Sequence, residues 1–309
     1  MSHTGTIALL GRPNAGKSTL LNALLGEKVA IVSNKPQTTR HRISGVLTEA
    51  RGQALFFDLP GVHRPLHRMN VQMMHILRDT LAEVDLIAEL FDGAEAPGGG
   101  EEFVIKLLEG TETPAILIPT KLDLAHAQAC WQESAGFYTS RHHYEAVVPV
   151  SALSGEGLAG LRDQVFRLLP EGEPLLDPAL STTQSERFLV AELIREALLG
   201  RVEQELPFTS AVLIQGFEEE ETARGPLLRI WAQIVVEGES QKAIVIGRHG
   251  AKIKEIGTAA RHSIEALLGA RVYLDLVVKA RPGWREDRAF LAALEPIEAS
   301  WADIKAEDE

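Results

Sequence analysis

Residues 11–18 constrain the fold of this chain more than any other segment. Their sequence, Gly-Arg-Pro-Asn-Ala-Gly-Lys-Ser, matches the pattern G-x-x-x-x-G-K-S in full. A short apolar run at residues 6–10 precedes the motif, and a helical pattern at residues 17–25 follows it. In that position, glycines let backbone N–H groups turn towards phosphate oxygens, and the positive end of the helix assists them. The segment therefore predicts a phosphate-binding loop between a strand and a helix.

The side chains of this loop give the first predicted site residues. We expect Lys17 to reach the β- and γ-phosphates of a nucleotide, and Ser18 to bind Mg²⁺. The other loop positions that we expect to contact the nucleotide are Asn14, Ala15, Gly16 and Thr19.

The first half of the chain alternates short apolar runs with helical patterns. The runs lie at residues 6–10, 53–58, 86–91, 115–120 and 147–150, and each ends at a turn or a polar residue. Strands that alternate with helices predict an α/β unit with a mainly parallel, doubly wound sheet. Ligands of such sheets bind beyond the carboxyl ends of the strands, which is where the motifs of this sequence fall.

Asp58-Leu59-Pro60-Gly61 forms a D-x-x-G motif at the end of an apolar run. A carboxylate there holds Mg²⁺ through a water, and the N–H of Gly61 senses the γ-phosphate. The pattern is weak alone, since turns use Asp and Gly everywhere. About forty residues after a phosphate-binding loop it predicts the second element of a nucleotide site.

Two further segments predict which base is bound. Thr120-Lys121-Leu122-Asp123 closes the next apolar strand, and Asp123 is placed to accept two hydrogen bonds from guanine. Adenine offers no such pair of donors and would leave the carboxylate unpaired, so the motif favours GTP over ATP. Ser151-Ala152 follows the last run and is expected to donate a backbone N–H to the guanine O6.

These four elements, in this order, resemble the translation-factor-related GTPases. Thr120 departs from the asparagine that is commoner at its position, and a hydroxyl replaces only part of the bonding of an amide. The resemblance also implies that a threonine of the loop between the first two elements completes the Mg²⁺ shell. It favours Thr39, with Thr38 as the alternative. The predicted catalytic residues are Lys17, Thr39, Asp58 and Gly61, and the predicted Mg²⁺ ligands are Ser18, Thr39 and Asp58.

Val62 stands after Gly61, where Ras-like enzymes place a glutamine that orients the attacking water. Valine has no polar atom for that task, so slow intrinsic hydrolysis is expected. Asn14 matches the residue with which a related subgroup of GTPases holds K⁺ near the phosphates, although it is equally suited to bonding within its own loop.

The composition changes after the first 172 residues. Residues 173–184 are rich in Pro, Ser, Thr and acids and are predicted to be a linker. The predicted units are therefore a nucleotide-binding domain at 1–172 and a second domain, with a tail, at 185–309. In the second domain we expect strands at 209–216 and 229–237, joined by an acidic turn at 218–221.

Residues 243–257 look like a K-homology (KH) motif, with the tetrapeptide Gly-Arg-His-Gly at 247–250 between two helices. The order of elements fits a smaller α+β domain of the type II KH arrangement. An RNA backbone passes over such a tetrapeptide, while an apolar groove beside it takes the bases. The predicted RNA-binding residues are Gly247, Arg248, His249, Gly250, Lys252, Ile253 and Lys254.

The chain resembles the Era family of ribosome-assembly GTPases. The resemblance rests on Gln-Thr-Thr-Arg-His-Arg at 37–42, Pro-Gly-Val-His at 60–63, the KH motif and Arg-Pro-Gly-Trp at 281–284. It implies binding near the 3′ end of small-subunit (16S) ribosomal RNA, a role in maturing the 30S subunit and a loose association with the inner membrane. GTP or GDP, Mg²⁺ and K⁺ are the implied ligands.

Two other functions compete with this GTP-hydrolysing switch. One is an RNA-binding module whose nucleotide domain holds GTP and hydrolyses it weakly. The other is a membrane-transport or tRNA-modification GTPase, which the lack of long apolar spans and of a cysteine-bearing C-terminal motif disfavours.

Charge and cysteine content bound the setting of the protein. A net charge of −12 argues against a surface that coats nucleic acid throughout, but it leaves room for a local basic site. The single cysteine, Cys130, suits a reducing compartment, and we expect a cytoplasmic monomer that does not bind DNA. Glu89 is out of place in its apolar run, and we expect it to mark an exposed strand end.

Overall fold

The computed structural model describes residues 2–35, 38–62, 67–203, 206–223 and 225–294. The chain divides into two compact units. The first comprises Met1–Leu66 and Asn70–Thr183, and the second comprises His67–Met69 and Gln184–Glu309. None of the helices in the described parts of the chain is both long and apolar enough to cross a bilayer.

The first unit is built on a six-stranded sheet in the order β2-β3-β1-β4-β5-β6. Only β2 runs antiparallel, against β3, and the other neighbours are parallel. This confirms the predicted mainly parallel α/β sheet. Its strands are β1 (His3–Gly11), β2 (Ile43–Glu49), β3 (Gly52–Asp58), β4 (Leu86–Asp92), β5 (Ala115–Thr120) and β6 (Ala146–Val147). Its helices are α1 (Lys17–Leu25), α2 (Arg68–Glu83), α3 (Gly99–Lys106), α4 (Ala125–Thr139) and α5 (Leu158–Leu168).

The central strands are buried along almost their whole length and are mostly apolar, because helices cover both faces of the sheet. A charged residue nevertheless lies in the middle of one of them. Glu89 lies in the middle of β4, opposite Leu10 of β1 and Leu117 of β5, and it is fully buried. The expectation of an exposed strand end was therefore wrong, because paired strands flank β4 on both sides.

The segment predicted to be a linker packs against the first unit as far as Thr183. The side chain of Gln53, on β3, accepts hydrogen bonds from the N–H groups of Leu175 and Leu176 and donates to the carbonyl of Leu176, each at 2.9 Å. Further along, Val46 N–H donates to Ser181 O at 2.8 Å. The polar residues of this segment thus satisfy backbone and side-chain groups at the β2–β3 edge of the sheet.

The second unit is a three-stranded sheet with helices. The sheet order is β7-β8-β9, with β7 and β8 antiparallel and β8 and β9 parallel. This agrees with the predicted order of elements and confirms the KH type of fold. The elements are α6 (Glu186–Leu199), α7 (Leu206–Thr209), β7 (Ser210–Thr222), β8 (Gly225–Val236), α8 (Glu239–Ile246), α9 (Ala251–Leu268), β9 (Arg271–Ala280) and α10 (Arg288–Leu294).

The β7–β8 hairpin is longer than the sequence indicated. Residues 218–221, predicted to be an acidic turn, continue β7 and pair with residues 226–229 of β8. Glutamates are poor strand formers, but here the strand is a solvent-exposed ribbon in which they stay hydrated. Cross-strand pairing of opposite charges helps, since Arg229 bonds Glu220.

Candidate nucleotide and RNA sites

The phosphate-binding loop joins the end of β1 to the start of α1, as the sequence predicts. Its backbone requires glycine at two positions. Gly11 has φ 153°, and a Cβ atom there would lie 2.4 Å from the carbonyl oxygen of Leu90. Gly16 has φ 92° and caps the N-terminus of α1. The loop therefore lies directly against β4 at one end and presents a helix N-terminus at the other.

Lys17 is buried, and its ammonium group is held inside this loop. Its Nζ donates to the carbonyl oxygens of Gly11 at 3.0 Å and Arg12 at 2.9 Å. Burial lowers the pKa of Lys17 to about 8, against the opposing charge of Asp58. A buried cation with only carbonyl partners is poised to exchange them for phosphate oxygens.

The three predicted Mg²⁺ ligands lie together. The hydroxyl of Ser18 donates to Asp58 Oδ2 at 2.5 Å, and Thr39 Oγ1 lies 3.1 Å from Ser18 Oγ and 3.3 Å from Asp58 Oδ2. Thr38 instead donates to the carbonyl of Lys35 at 2.6 Å, so the geometry favours Thr39 over the alternative. Two hydroxyls and a carboxylate form the hard-oxygen set that Mg²⁺ prefers.

The burial and charge of Asp58 suit a carboxylate that binds a cation. It is fully buried, and its second carboxylate oxygen, Oδ1, has no hydrogen-bond partner among the residues that the structure describes. Burial raises the pKa of Asp58, against the opposing effects of Lys17, Ser18 and Thr39. The residues present therefore fit a divalent ion, because such an ion would compensate a buried carboxylate that the protein satisfies only in part.

Gly61 follows this cluster and packs on the loop. A Cβ atom at Gly61 would approach the backbone of Pro13 to 2.7 Å, and the N–H of the next residue, Val62, donates to Gly11 O at 3.2 Å. The D-x-x-G segment is thus held close to the loop, as its predicted role at the γ-phosphate requires.

The guanine elements converge at the ends of β5 and β6. Ser151 Oγ donates to Asp123 Oδ1 at 2.7 Å, which orients the carboxylate. The N–H of Ser151 is already bonded to Glu156 O at 2.9 Å, which favours the N–H of Ala152 as the predicted donor to the base. Lys121, at φ 61°, forms an ion pair of 2.5 Å with Asp92 at the end of β4.

The phosphate-binding loop and the residues beside it line an open cavity of about 380 Å³, within the range of small-ligand sites, whereas Asp58, Asp123 and Ser151 are not part of its lining. Among the residues that line it are Asn14, Gly16, Lys17, Ser18, Thr19, Thr39, Gly61 and Lys121. The sequence did not indicate Ile31, Val32 or Asn34, which also line it, since no motif marks them. Asp92, the partner of Lys121, was missed as well. Its position at the carboxyl end of a strand was the only signal.

The second candidate site is the tetrapeptide loop at 247–250. Gly247 has φ 73°, and a Cβ atom there would lie 2.7 Å from Lys252 Cβ. His249 has φ 53°, and Gly250, with φ 76°, caps the N-terminus of α9. The side chains of Arg248 and His249 are exposed. The loop therefore presents an open backbone and a helix N-terminus, which suit a phosphate backbone.

An open groove of about 310 Å³ runs along α9 beside this loop. Ile253 and Lys254, both predicted RNA-binding residues, line it, whereas Lys252 does not. The opposite wall is apolar and comes from Leu274 and Leu276 of β9, which the sequence analysis did not select. The alternation of apolar residues along β9 was the signal for that wall.

Two known families match separate segments of the chain, and each segment contains one of the two candidate sites. Residues 6–121 match the family described as 50S ribosome-binding GTPase, and residues 214–285 match the KH domain. Among characterised relatives, GTPase Era of Heliobacterium modesticaldum is 45% identical over 92% of this chain and 93% of the relative. GTPase Era of Geobacter metallireducens is 40% identical over 94% of this chain and 97% of the relative.

Two solved structures match nearly the whole chain. A crystal structure of Era in complex with MgGDPNP and nucleotides 1506–1542 of 16S ribosomal RNA has a TM-score of 0.90 and 34% identity. The match covers 95% of this chain and 99% of that one. A variant of Aquifex aeolicus Era bound to GDP·AlF4⁻ has a TM-score of 0.87 and 35% identity, over 94% of this chain and 98% of that one.

Proposed function

The chain belongs to the Era family of GTPases, and from that premise we propose that it is a GTP-driven switch in small-subunit assembly. Its KH unit binds 16S ribosomal RNA near the 3′ end, and hydrolysis of GTP resets the switch. The observation that carries the proposal is the presence, in one chain, of a complete guanine-nucleotide site and an open KH groove. The relative solved with MgGDPNP and nucleotides 1506–1542 of 16S ribosomal RNA supports this choice of RNA.

The nucleotide chemistry follows from the positions of the loop residues. Lys17 leaves the carbonyls of Gly11 and Arg12 and pairs with the β- and γ-phosphates. Ser18, Thr39 and Asp58 hold Mg²⁺, which neutralises phosphate charge when it is bound. The N–H of Gly61 contacts the γ-phosphate. When hydrolysis removes the γ-phosphate, this contact is lost and the D-x-x-G segment is released.

Base selection is assigned to Asp123, which Ser151 orients. The carboxylate accepts two hydrogen bonds from guanine, and the N–H of Ala152 donates to the guanine O6. Adenine offers no matching pair of N–H donors, so Asp123 would keep the bond from Ser151 but gain none from the base, and such mismatches discriminate by several powers of ten.

We also propose that hydrolysis depends on K⁺. Val62 is buried and has no polar atom with which to orient water. Asn14 Nδ2 donates to Asn34 O at 3.1 Å, which holds the backbone carbonyl of Asn34 beside the side-chain amide of Asn14 in the phosphate-binding loop. Backbone carbonyl and amide oxygens of this kind suit a monovalent cation that stabilises the transition-state charge. Turnover measured in K⁺ and Na⁺ buffers tests this, since equal rates in both would remove the K⁺ requirement.

The KH unit supplies the RNA site. Phosphates pass over the loop 247–250, where Arg248, His249 and Lys254 add donors, and unpaired bases enter the groove lined by Ile253 and Leu276. A groove that takes splayed bases suits a single-stranded RNA end better than duplex DNA. We accordingly propose the 30S subunit, and not DNA, as the partner.

The setting proposed for this activity is the cytoplasm, with a loose association with the inner membrane. The half-buried free thiol of Cys130 supports a reducing compartment. Cell fractionation with immunodetection tests it, and exclusive recovery in an oxidising compartment would contradict it.

The RNA assignment is tested with two matched variants, Gly250→Asp and Gly269→Asp. Both glycines have positive φ and open space at Cβ, and they cap the two ends of α9. By fluorescence anisotropy with a labelled oligonucleotide of the 16S 3′ end, Gly250→Asp should abolish binding, because it adds negative charge at the phosphate path. Gly269→Asp should bind like the wild type. Equal affinity in both variants would overturn the KH assignment.

A further inference from the structure

Glu89 is a buried acid that neither proposed activity uses. Its side chain lies on β4 between Leu10 and Leu117, with none of it exposed. The hydroxyl of Tyr144 donates to Glu89 Oε2 at 2.5 Å, whereas Oε1 is buried and finds no hydrogen-bond partner in the described part of the chain. A buried carboxyl oxygen without a partner is costly, and such atoms in native structures call for an ordered water or a functional reason.

A small cavity of about 30 Å³ lies between Glu89 and the phosphate-binding loop. Residues 12–15 of the loop form one wall, and Glu89 and Tyr138 form another. Its volume admits a single water molecule, because a cavity needs roughly 10–15 Å³ of accessible volume and polar partners to hold one. Glu89 and residues 12–15 are both in its lining, so the carboxyl group and the loop backbone are the candidate partners of such a water.

The loop rests directly on the strand that carries Glu89. Leu10 is paired with Glu89 and Gly11 with Leu90, and the absent side chain of Gly11 leaves room for the Leu90 carbonyl. From the other side, Arg12 forms a 2.7 Å ion pair with Glu101 at the start of α3. A change at Glu89 therefore reaches the loop through its supporting strand and the intervening cavity.

The ionic surroundings of Glu89 are mostly acidic. Burial raises the pKa of Glu89 to about 7, the charge of Glu101 adds to the rise, and the hydrogen bond from Tyr144 opposes it. Of the cations that the structure describes near the cavity, Arg12 pairs with Glu101, Lys121 pairs with Asp92, and Lys17 bonds the carbonyls of the loop on its far side. The described titratable and charged groups around the cavity are Arg12 from the loop, Asp92 at the end of β4, Glu95 after β4, Glu101 from α3, Tyr138 from α4, Tyr144 after α4, Lys121 beyond Asp92, and Lys17 behind the loop.

We propose that Glu89 is a positioning residue for nucleotide binding, whose unpartnered oxygen holds a water against residues 12–15 and whose protonated carboxyl is the form that favours bound nucleotide. This inference rests on the nucleotide site alone and is independent of the proposed RNA partner.

The charge of Glu89 decides the direction in which nucleotide affinity changes with pH. An ionised Glu89 places a negative charge behind a loop that binds anionic phosphates, in an interior where screening is weak. Loss of the proton therefore weakens nucleotide binding, and binding of nucleotide favours uptake of the proton. Nucleotide affinity is then expected to fall as pH rises through about 7.

The test measures the dissociation constant of a fluorescent GDP analogue for the full chain between pH 6 and 8.5, at fixed Mg²⁺ and salt. Glu89→Gln keeps the shape and mimics the neutral acid. The nucleotide and Lys17 titrate in both proteins, so the ratio of wild-type to Glu89→Gln constants isolates Glu89. We expect a ratio near one at low pH that rises to about three- to tenfold above neutrality. Glu109→Gln, an exposed change in the turn after α3, should leave the wild-type profile unchanged.

A second variant tests whether a water held by Glu89 contributes to nucleotide binding. Glu89→Leu has no polar atom to hold it, so it should bind GDP about three- to tenfold more weakly than Glu89→Gln at every pH. Tyr144→Phe retains Glu89 and removes the bond that stabilises its ionised form. It should move the midpoint of the profile to higher pH, with a melting curve to verify folding.

A ratio that does not change with pH would show that the ionisation of Glu89 does not affect nucleotide binding. Equal GDP affinity of the leucine and glutamine variants would show that no water held by residue 89 contributes to binding. An unmoved midpoint in Tyr144→Phe would show that the titrating group is not Glu89. A wild-type chain that binds no GDP at any pH would instead overturn the nucleotide site itself.

Discussion

The hydroxyl of Thr120 donates to the carbonyl oxygen of Ala15 at 2.8 Å and lies 2.9 Å from the carbonyl of Phe91. This contact ties the start of the guanine motif to the phosphate-binding loop, across 105 residues of sequence. Thr120 is buried, so no bulk water replaces a lost bond. A threonine thus performs the bridging that its position requires, although an asparagine is commoner there.

Removal of that hydroxyl should weaken nucleotide binding. Thr120→Val keeps the shape and removes the hydrogen bond to the carbonyl of Ala15, at a cost of about 1–2 kcal/mol. Calorimetry with GDP should show affinity lower by about five- to thirtyfold. Thr120→Ser retains the hydroxyl and serves as the control. Wild-type affinity in the valine variant would show that the bridge contributes nothing to the site.

Gln53 should determine whether residues 173–183 stay folded on the first unit. Gln53→Leu leaves two N–H groups and one carbonyl of Leu175 and Leu176 without partners, which should destabilise the unit by about 2–3 kcal/mol. Urea unfolding gives the stability, and limited proteolysis should cut first near residue 175. Gln132→Leu, an exposed change on α4, should alter neither result. If Gln53→Leu resisted the protease as well as the wild type, the bonds from Gln53 would not be what holds residues 173–183 on the first unit.

The stability of the protein should depend on pH through Glu89. The pKa of Glu89 is raised from 4.5 to about 7 in the folded chain. The folded state therefore retains a proton that the unfolded chain releases, and stability is lost as pH rises from 4.5 to 7. Relative to wild type, Glu89→Gln should gain about 3 kcal/mol over that interval. Denaturation of both proteins at several pH values measures the difference, and a constant difference would count against a protonated Glu89.

Two variants in the RNA groove should distinguish contacts to bases from contacts to phosphates. At Gly257 a Cβ atom would lie 3.4 Å from Leu276, so Gly257→Leu should fill the groove and weaken RNA binding at every salt concentration. Lys254→Ala should instead reduce the slope of log affinity against log salt by about 0.7, the value for one phosphate contact on a single strand. Anisotropy titrations at several salt concentrations measure both. An unchanged slope in the lysine variant would mean that Lys254 contacts no phosphate.

The sequence predicted the parts of the site that depend on local spacing. Lys17, Asp58 and Asp123 could be assigned because each motif has a defined position relative to a strand end. Contacts between distant segments were not predictable in this way. Gln53 bonds residues more than 120 positions away, and the apolar wall of the RNA groove comes from Leu276 on a strand that carries no motif. Glu89 misled the sequence analysis because a charged residue in a strand usually indicates exposure, whereas here a tyrosine from a distant loop satisfies one of its oxygens.

In the proposed switch, the nucleotide state of the first unit controls RNA binding by the second. The affinity of the full chain for a 16S 3′-end oligonucleotide, measured with saturating GTP analogue and with GDP at one salt and K⁺ concentration, tests this control. We expect tighter RNA binding with the analogue. Thermodynamic linkage then requires RNA to raise the affinity for the analogue, relative to GDP, by the same factor. Equal RNA affinity in the two states would contradict the switch and leave a GTPase and an RNA-binding unit that act independently.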